Sequence, residues 1–281
     1  GKDSSGFAFR DEANKAIHVI RASMPISSLM NHREFIPELD AHLNAARGRE
    51  GVLTPRVFAA IGHSRLVTNG TQLNDENNQP VVKDGLVGVH NGIIVNVDDL
   101  WRTMPIGQRK YEIDTEAMFS LFRYFNATSG SSAASISQAV RKIVGTVSTG
   151  FFIDNKNELV LATNNGSLYL LSNFKDVLLF ASEKHIVERV MNKHQLNKKG
   201  DGFKVLQVEP NTGYLIRLDD LEMKRFGIPD HRLQDSRSTA VESYHVRVQS
   251  IQNPNNNKSL LVDFKEIIVG SKAKQEKKLL E

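Results

Sequence analysis

Four short stretches hold the side chains able to do chemistry. "GHSRLVTNG", Gly62 to Gly70, places His63, Arg65, Thr68 and Asn69 directly after the apolar run "VFAAI". "VHNGII" sets Asn91 and Gly92 behind His90, where two apolar runs meet. "EIDTEAMF" puts Asp114 at the head of an amphipathic run, and "GKDSSG" opens the chain with Asp3, Ser4 and Ser5. Such a set is suited to gripping a small charged molecule. Each stretch also has a plainer reading. Asn-Gly between apolar runs is the strongest short hairpin signal. Asp114 would serve as a helix N-cap, Arg65 as half of a surface ion pair, and His63 and His90 as satisfied core histidines. His63, His90 and Asp114 could ligate a metal, but no close ligand pair supports that. No G-x-S-x-G elbow, P-loop or dinucleotide fingerprint is present.

The elements that must position these residues can be read from periodicity. "GFAF" and "KAIHVIRA" are strands flanking the polar turn "RDEAN". "REFIPELDAHLNAAR" reads as a helix with Pro37 in its first turn. "RVFAAIG" has strand length. Met118, Leu121, Phe122 and Phe125 recur at helical spacing, as do Ile136, Ala139, Val140 and Ile143. A meander follows in "TVSTGFFID", "ELVLAT", "SLYLLS" and "DVLLFA", with "NKN" and "NNG" as turns. A helix starts near Ser182, and "FKVLQV" and "GYLIRL" are the last regular strands. Hairpins outnumber strand–helix–strand units, which argues for α+β with mostly antiparallel sheets. The 281 residues suffice for one large domain with a sizeable core, or two small ones. From 229 to 281 the chain turns polar and turn-rich, as a linker or docking tail would.

Composition narrows the function classes. Apolar residues make up 40% and charged residues 24%, the balance of an ordinary soluble domain. A net charge of +4 spread along the chain calls for no nucleic acid. No apolar run approaches the roughly 20 residues that span a bilayer, and no signal peptide is visible, so a cytoplasmic location is the default. Cysteine is absent, which excludes thiolate metal sites within this sequence.

Taken in order, the stretches resemble the class II glutamine amidotransferases, the N-terminal-nucleophile glutaminase domains of glucosamine-6-phosphate synthase, the purine amidotransferase, asparagine synthetase and glutamate synthase. Gly1-Lys2-Asp3-Ser4-Ser5-Gly6, Gly62 through Gly70, Gln79-Pro80, His90-Asn91-Gly92-Ile93-Ile94 and Asp114-Thr115-Glu116 match the family's segments in sequence order. The likeness spans roughly residues 1 to 220. It implies a four-layer αββα sandwich of the Ntn-hydrolase type. It implies a glutaminase that attacks the side-chain amide of L-glutamine with an N-terminal cysteine, the free α-amino group acting as base near its ordinary pKa of about 8. Asn91 and Gly92 would form the oxyanion hole, presented by the expected hairpin turn. Arg65 would take the substrate carboxylate and Asp114 its ammonium, with Thr68 and Asn69 lining the same pocket. No cofactor or metal is called for.

The sequence departs from the family in lacking the cysteine. The match begins inside a motif, at Gly1, so the opening strand and its nucleophile are expected upstream, and residues 1–281 alone are expected to be inactive. Ammonia would pass to a synthetase or acceptor domain or subunit, and a homo-oligomer is compatible with this reading. The competing reading is an inactive glutaminase-like module with a binding, regulatory or scaffold role.

Overall fold

The computed structural model describes residues 3–10, 16–33, 36–37, 39–41, 58–66, 71, 73–196 and 202–229. Thr68 and Asn69, most of the expected helix after Arg33, and the expected tail beyond 229 lie outside the described residues.

Six strands form the central sheet, in the order β12 (Met223–Gly227), β11 (Thr212–Arg217), β7 (Glu158–Thr163), β6 (Gly145–Ile153), β5 (Leu86–Ile94) and β4 (Val81–Lys83). Every pairing in it is antiparallel. Two three-stranded sheets accompany it. One runs β2 (Ile17–Ala22), β1 (Ser4–Arg10), β3 (Ala59–Arg65). The other runs β10 (Lys204–Gln207), β8 (Tyr169–Ser172), β9 (Leu178–Ala181).

The period of two along each strand divides the apolar side chains between layers. In β7, Val160 and Ala162 join a core with α2 (Val97–Thr103), α3 (Thr115–Ser129) and α4 (Ser132–Lys142), while Leu159 and Leu161 turn to the opposite face. That opposite face meets Ala8 and Ile61 of the first small sheet and Leu168 and Leu170 beside or within the second. The small sheets bury their outer faces in turn. Phe7 and Phe9 pack on Leu29, Met30 and Leu39, near the single-turn helix α1 (Ile26–Leu29). Leu171 and Leu179 pack on Val187 and Val190 of α5 (Lys184–Lys193). The layers are helices, six-stranded sheet, paired small sheets, helices. This is the expected αββα sandwich.

Two expectations change. Asn91-Gly92 is not a hairpin turn. A type I′ turn needs positive φ at both central residues, whereas Asn91 keeps a negative φ and Gly92 lies at 157°. β5 instead continues straight through, paired residue for residue with β6 from Leu86↔Ile153 to Ile94↔Gly145. Nor is "NNG" a meander turn within one sheet. It carries the chain from β7 in the large sheet to β8 in a small one.

An apolar cavity of about 140 Å³ lies between the layers. It touches every residue from Ala59 to His63 and every residue from Leu178 to Ala181. Successive strand residues point to opposite faces, so a cavity touching all of them borders the strand edges. β3 pairs only with β1, and β9 only with β8, among the described residues. The cavity is therefore a slot between two free strand edges.

Candidate active site

A second, polar cavity of about 250 Å³ opens beside that slot, lined by Arg65, Gln79, Asn91, Gly92, Asp114 and Asn165 among others. Each has a structural reason to be there. Arg65 ends β3 opposite Ser4 of β1. It is 5% exposed, and its Nη1 reaches Asn78 Oδ1 at 3.4 Å. Burial pulls the guanidinium pKa down, and Asp114 and Asp3 pull it back up. The net is a decrease, yet an arginine stays charged at any ordinary pH. A surface ion pair is thus the wrong description of Arg65.

Asp114 precedes α3 but makes no side-chain cap there. Its Oδ2 accepts the Ile94 N–H at 2.9 Å instead. Burial alone would raise its pKa. The His90 imidazole, with Nδ1 3.8 Å from Oδ1, and the N–H groups of Ile94 and Thr115 outweigh that and hold the carboxyl below its ordinary value.

His90 is occupied on both ring nitrogens. Nε2 lies 3.1 Å from the Thr146 carbonyl and Nδ1 3.2 Å from Thr115 Oγ1. A carbonyl only accepts, so Nε2 donates to it. Neither nitrogen is left for a metal. The plainer reading of His90 as a satisfied core histidine is right.

The N–H of Gly92 follows from alternation along β5. The N–H of His90 points away from β6 to Gln79 Oε1 at 2.6 Å, and that of Ile94 points the same way to Asp114. The intervening even-numbered N–H, that of Gly92, shares this side. It lies between the Gln79 and Asp114 side chains and bonds to neither. Asn91 faces the other way in the pleat, directly opposite Ser148 of β6. Its side chain lines both cavities.

Sequence reasoning missed several supports. Gln79 clasps His90 through both amide atoms, donating Nε2–H to the carbonyl at 2.9 Å and accepting the N–H. This adds one rung beyond the last β4–β5 pair, Val81↔Gly88. Glu116 is fully buried and accepts from Lys83 Nζ at 2.8 Å, Lys110 N at 2.8 Å and Tyr111 N at 2.7 Å. That fixes the loop leading to Asp114. Glu112 next to it accepts from Thr71 N and Asn77 Nδ2. A glutamate two residues into a predicted helix, on its buried side, was the available signal.

The structure brings Arg65, Asn91, Gly92 and Asp114 to one cavity; Thr68 and Asn69 are outside the described residues. Residues 63–189 match the model of the glutamine amidotransferase domain. The chain is 22% identical over 203 residues to glutamine–fructose-6-phosphate aminotransferase (isomerizing) of Escherichia coli, covering 72% of this chain and 33% of that relative. The Shigella flexneri protein of the same name matches to the same extent. The chain thus spans about a third of the length of these curated relatives. Among solved structures, the Bacillus subtilis glutamine phosphoribosylpyrophosphate amidotransferase superposes with a TM-score of 0.54 at 18% identity, over 82% of this chain and 44% of that one. A structure described as the allosteric regulatory enzyme of purine biosynthesis gives 0.57 at 18% identity, over 82% and 43%. The segment 63–189 thus resembles a glutamine amidotransferase domain, and the chain shares the fold of these two solved structures.

Proposed function

We propose that the domain hydrolyses the side-chain amide of L-glutamine to glutamate and ammonia, and hands the ammonia to an acceptor site on another domain or subunit in the cytoplasm. The observation that carries this reading is the shared cavity of Arg65 and Asp114 with Asn91 and Gly92. A fixed cation and a fixed anion at one place suit the α-carboxylate and α-ammonium of a free amino acid. The cavity volume, below the roughly 300–1,000 Å³ of drug-sized ligand sites, suits a molecule of that size.

In this reading the nucleophile arrives on a further strand of the polypeptide laid along the slot between β3 and β9. That slot borders His63 and Asn91, where the two cavities meet. A cysteine leading this strand gives its thiol proton to its own α-amino group. The thiolate attacks the amide carbon, and the carbonyl electrons move to oxygen. The Asn91 amide and the Gly92 N–H stabilise that oxyanion. Collapse expels ammonia, which takes the proton from the α-ammonium, and leaves a thioester. Water then releases glutamate and regenerates the thiol.

The test is to extend residues 1–281 upstream of Gly1 with a cysteine-led apolar strand and to measure glutamate release from L-glutamine. Activity is expected in the extended protein and none in residues 1–281. Activity in the unextended chain would assign the nucleophile elsewhere. An inactive extended protein that binds no glutamine would favour the scaffold reading.

A further inference from the structure

The loop that crosses from the large sheet to β8 brings one more side chain to the polar cavity. Asn165 lies on this crossing and lines the cavity together with Asn91. Its carbonyl oxygen is held three times. Oδ1 accepts from Ser148 Oγ at 3.0 Å, from Thr163 Oγ1 at 3.0 Å and from the Ser167 N–H at 3.1 Å. Ser148 and Thr163 face each other across β6 and β7, their hydroxyls 2.8 Å apart. Thr163 also accepts the Gly166 N–H at 3.0 Å, so the crossing itself is pinned to the strand it leaves.

Such anchoring has a directional consequence. An amide is planar, so fixing its oxygen fixes where its NH₂ group points. Nδ2 of Asn165 has no partner among the described residues, and neither has the side chain of Asn91. The residue joining the two is Ser148, which hydrogen-bonds Asn165 and sits directly opposite Asn91 in the β5–β6 register. Asn165 is therefore on the Asn91 side of the cavity.

We infer that Asn165 is a specificity-determining residue whose Nδ2–H donates to the side-chain amide oxygen of the bound amino acid, alongside Asn91. This rests on the glutamine reading and adds to it the reason that the site takes a carboxamide rather than an aliphatic side chain. A site that hydrogen-bonds a substrate group discriminates against an analogue lacking that group, because its own polar atoms are then left without a partner.

The test compares two ligands by calorimetry on the full chain. L-Glutamine carries the amide; L-norvaline keeps the same α-head on an aliphatic side chain. Asn165→Ala should weaken glutamine binding by about fivefold, the size of one neutral hydrogen bond, and leave norvaline binding unchanged. Asn165→Asp keeps an acceptor for Ser148, Thr163 and Ser167 while removing the donor, so it guards against an unfolded alanine variant. It should keep the wild-type melting temperature and still lower the ratio of glutamine to norvaline affinity. An unchanged ratio in the folded Asp variant, or equal losses for both ligands in Asn165→Ala, would overturn the inference and leave the glutamine reading standing. Failure of the wild-type chain to bind glutamine would overturn both.

Discussion

The carboxylate of Asp114 takes the backbone N–H of Ile94 at 2.9 Å, tying the start of helix α3 to the far end of strand β5. The bond does two things at once. It satisfies an N–H on a free strand edge, and it fixes the anion beside the cavity wall formed by Asn91 and Gly92. Asp114 is thus a structural and an electrostatic residue together.

Acid should expose this coupling. The Asp114 pKa in the folded protein lies below its ordinary 3.8. The unfolded chain then binds the proton more readily, so stability rises with pH across the interval between the two values. The contribution is complete above the ordinary carboxylate range and is lost as pH falls through the lowered folded value. Asp114→Asn should therefore lower the melting temperature at pH 7 and flatten its fall below about pH 4. Parallel acid limbs for wild type and variant in thermal melts would contradict the assignment.

Arg65 should act on the ground state. Arg65→Ala removes a charged hydrogen bond that exists before and during reaction, worth about 1.5–3 kcal/mol. Glutamine affinity should fall by at least about tenfold, and in an active, cysteine-extended protein KM should rise with little change in kcat. Calorimetry giving wild-type affinity would remove Arg65 from the binding site.

Asn91 should act on the transition state. Its amide meets charge that develops only after attack, so Asn91→Ala should lower kcat by about 10²-fold or more with KM nearly constant. Asn91→Asp preserves shape and strand pairing but cannot donate to an oxyanion. Steady-state kinetics on a well-folded, fully active Asn91→Asp protein would return this residue to a packing role.

The Lys83–Glu116 pair should matter for folding rather than chemistry. Both side chains are buried, at 4% and 0% exposure. Lys83→Met leaves the Glu116 charge without its counter-ion and should cost about 3–5 kcal/mol in denaturant unfolding. Adding Glu116→Gln removes that charge while keeping an acceptor for one of the Lys110 and Tyr111 N–H groups. The double variant should be more stable than Lys83→Met alone, and a double variant that is less stable would show that the charge is not what destabilises.

Much of the architecture was legible because period carries it. The alternation in "ELVLAT" and the helical spacing from Met118 to Phe125 are local signals, and both elements form where expected. The cluster of Arg65, Asn91, Gly92 and Asp114 was legible from the order of its motifs. What could not be read is what depends on partners far along the chain. "HNG" carries a genuine local turn signal, but the ladder with β6 overrides it and keeps β5 extended. Glu116 reads as a first-turn acid until Lys83 is brought to it from 33 residues away. Asn165 reads as a turn former, because nothing local says that Ser148 will hold its oxygen.

Two glycines lie close together in the β5–β6 ladder beside the cavity, Gly92 paired with Val147 and Gly145 with Ile94. A Cβ on Gly92 would lie 1.9 Å from the Thr146 carbonyl oxygen, and one on Gly145 would lie 2.0 Å from the Ile93 carbonyl oxygen. Each obstacle is backbone, so no rotamer change relieves it. In a saturation-mutagenesis screen both positions would tolerate glycine alone, with the same total loss of signal as a catalytic residue. Gly145, which does not line the cavity but is the chain neighbour of Thr146, which does, would be mistaken for chemistry. Scoring soluble protein beside activity would separate the two, because a variant that fails to fold vanishes from both readouts and an impaired catalyst from only one.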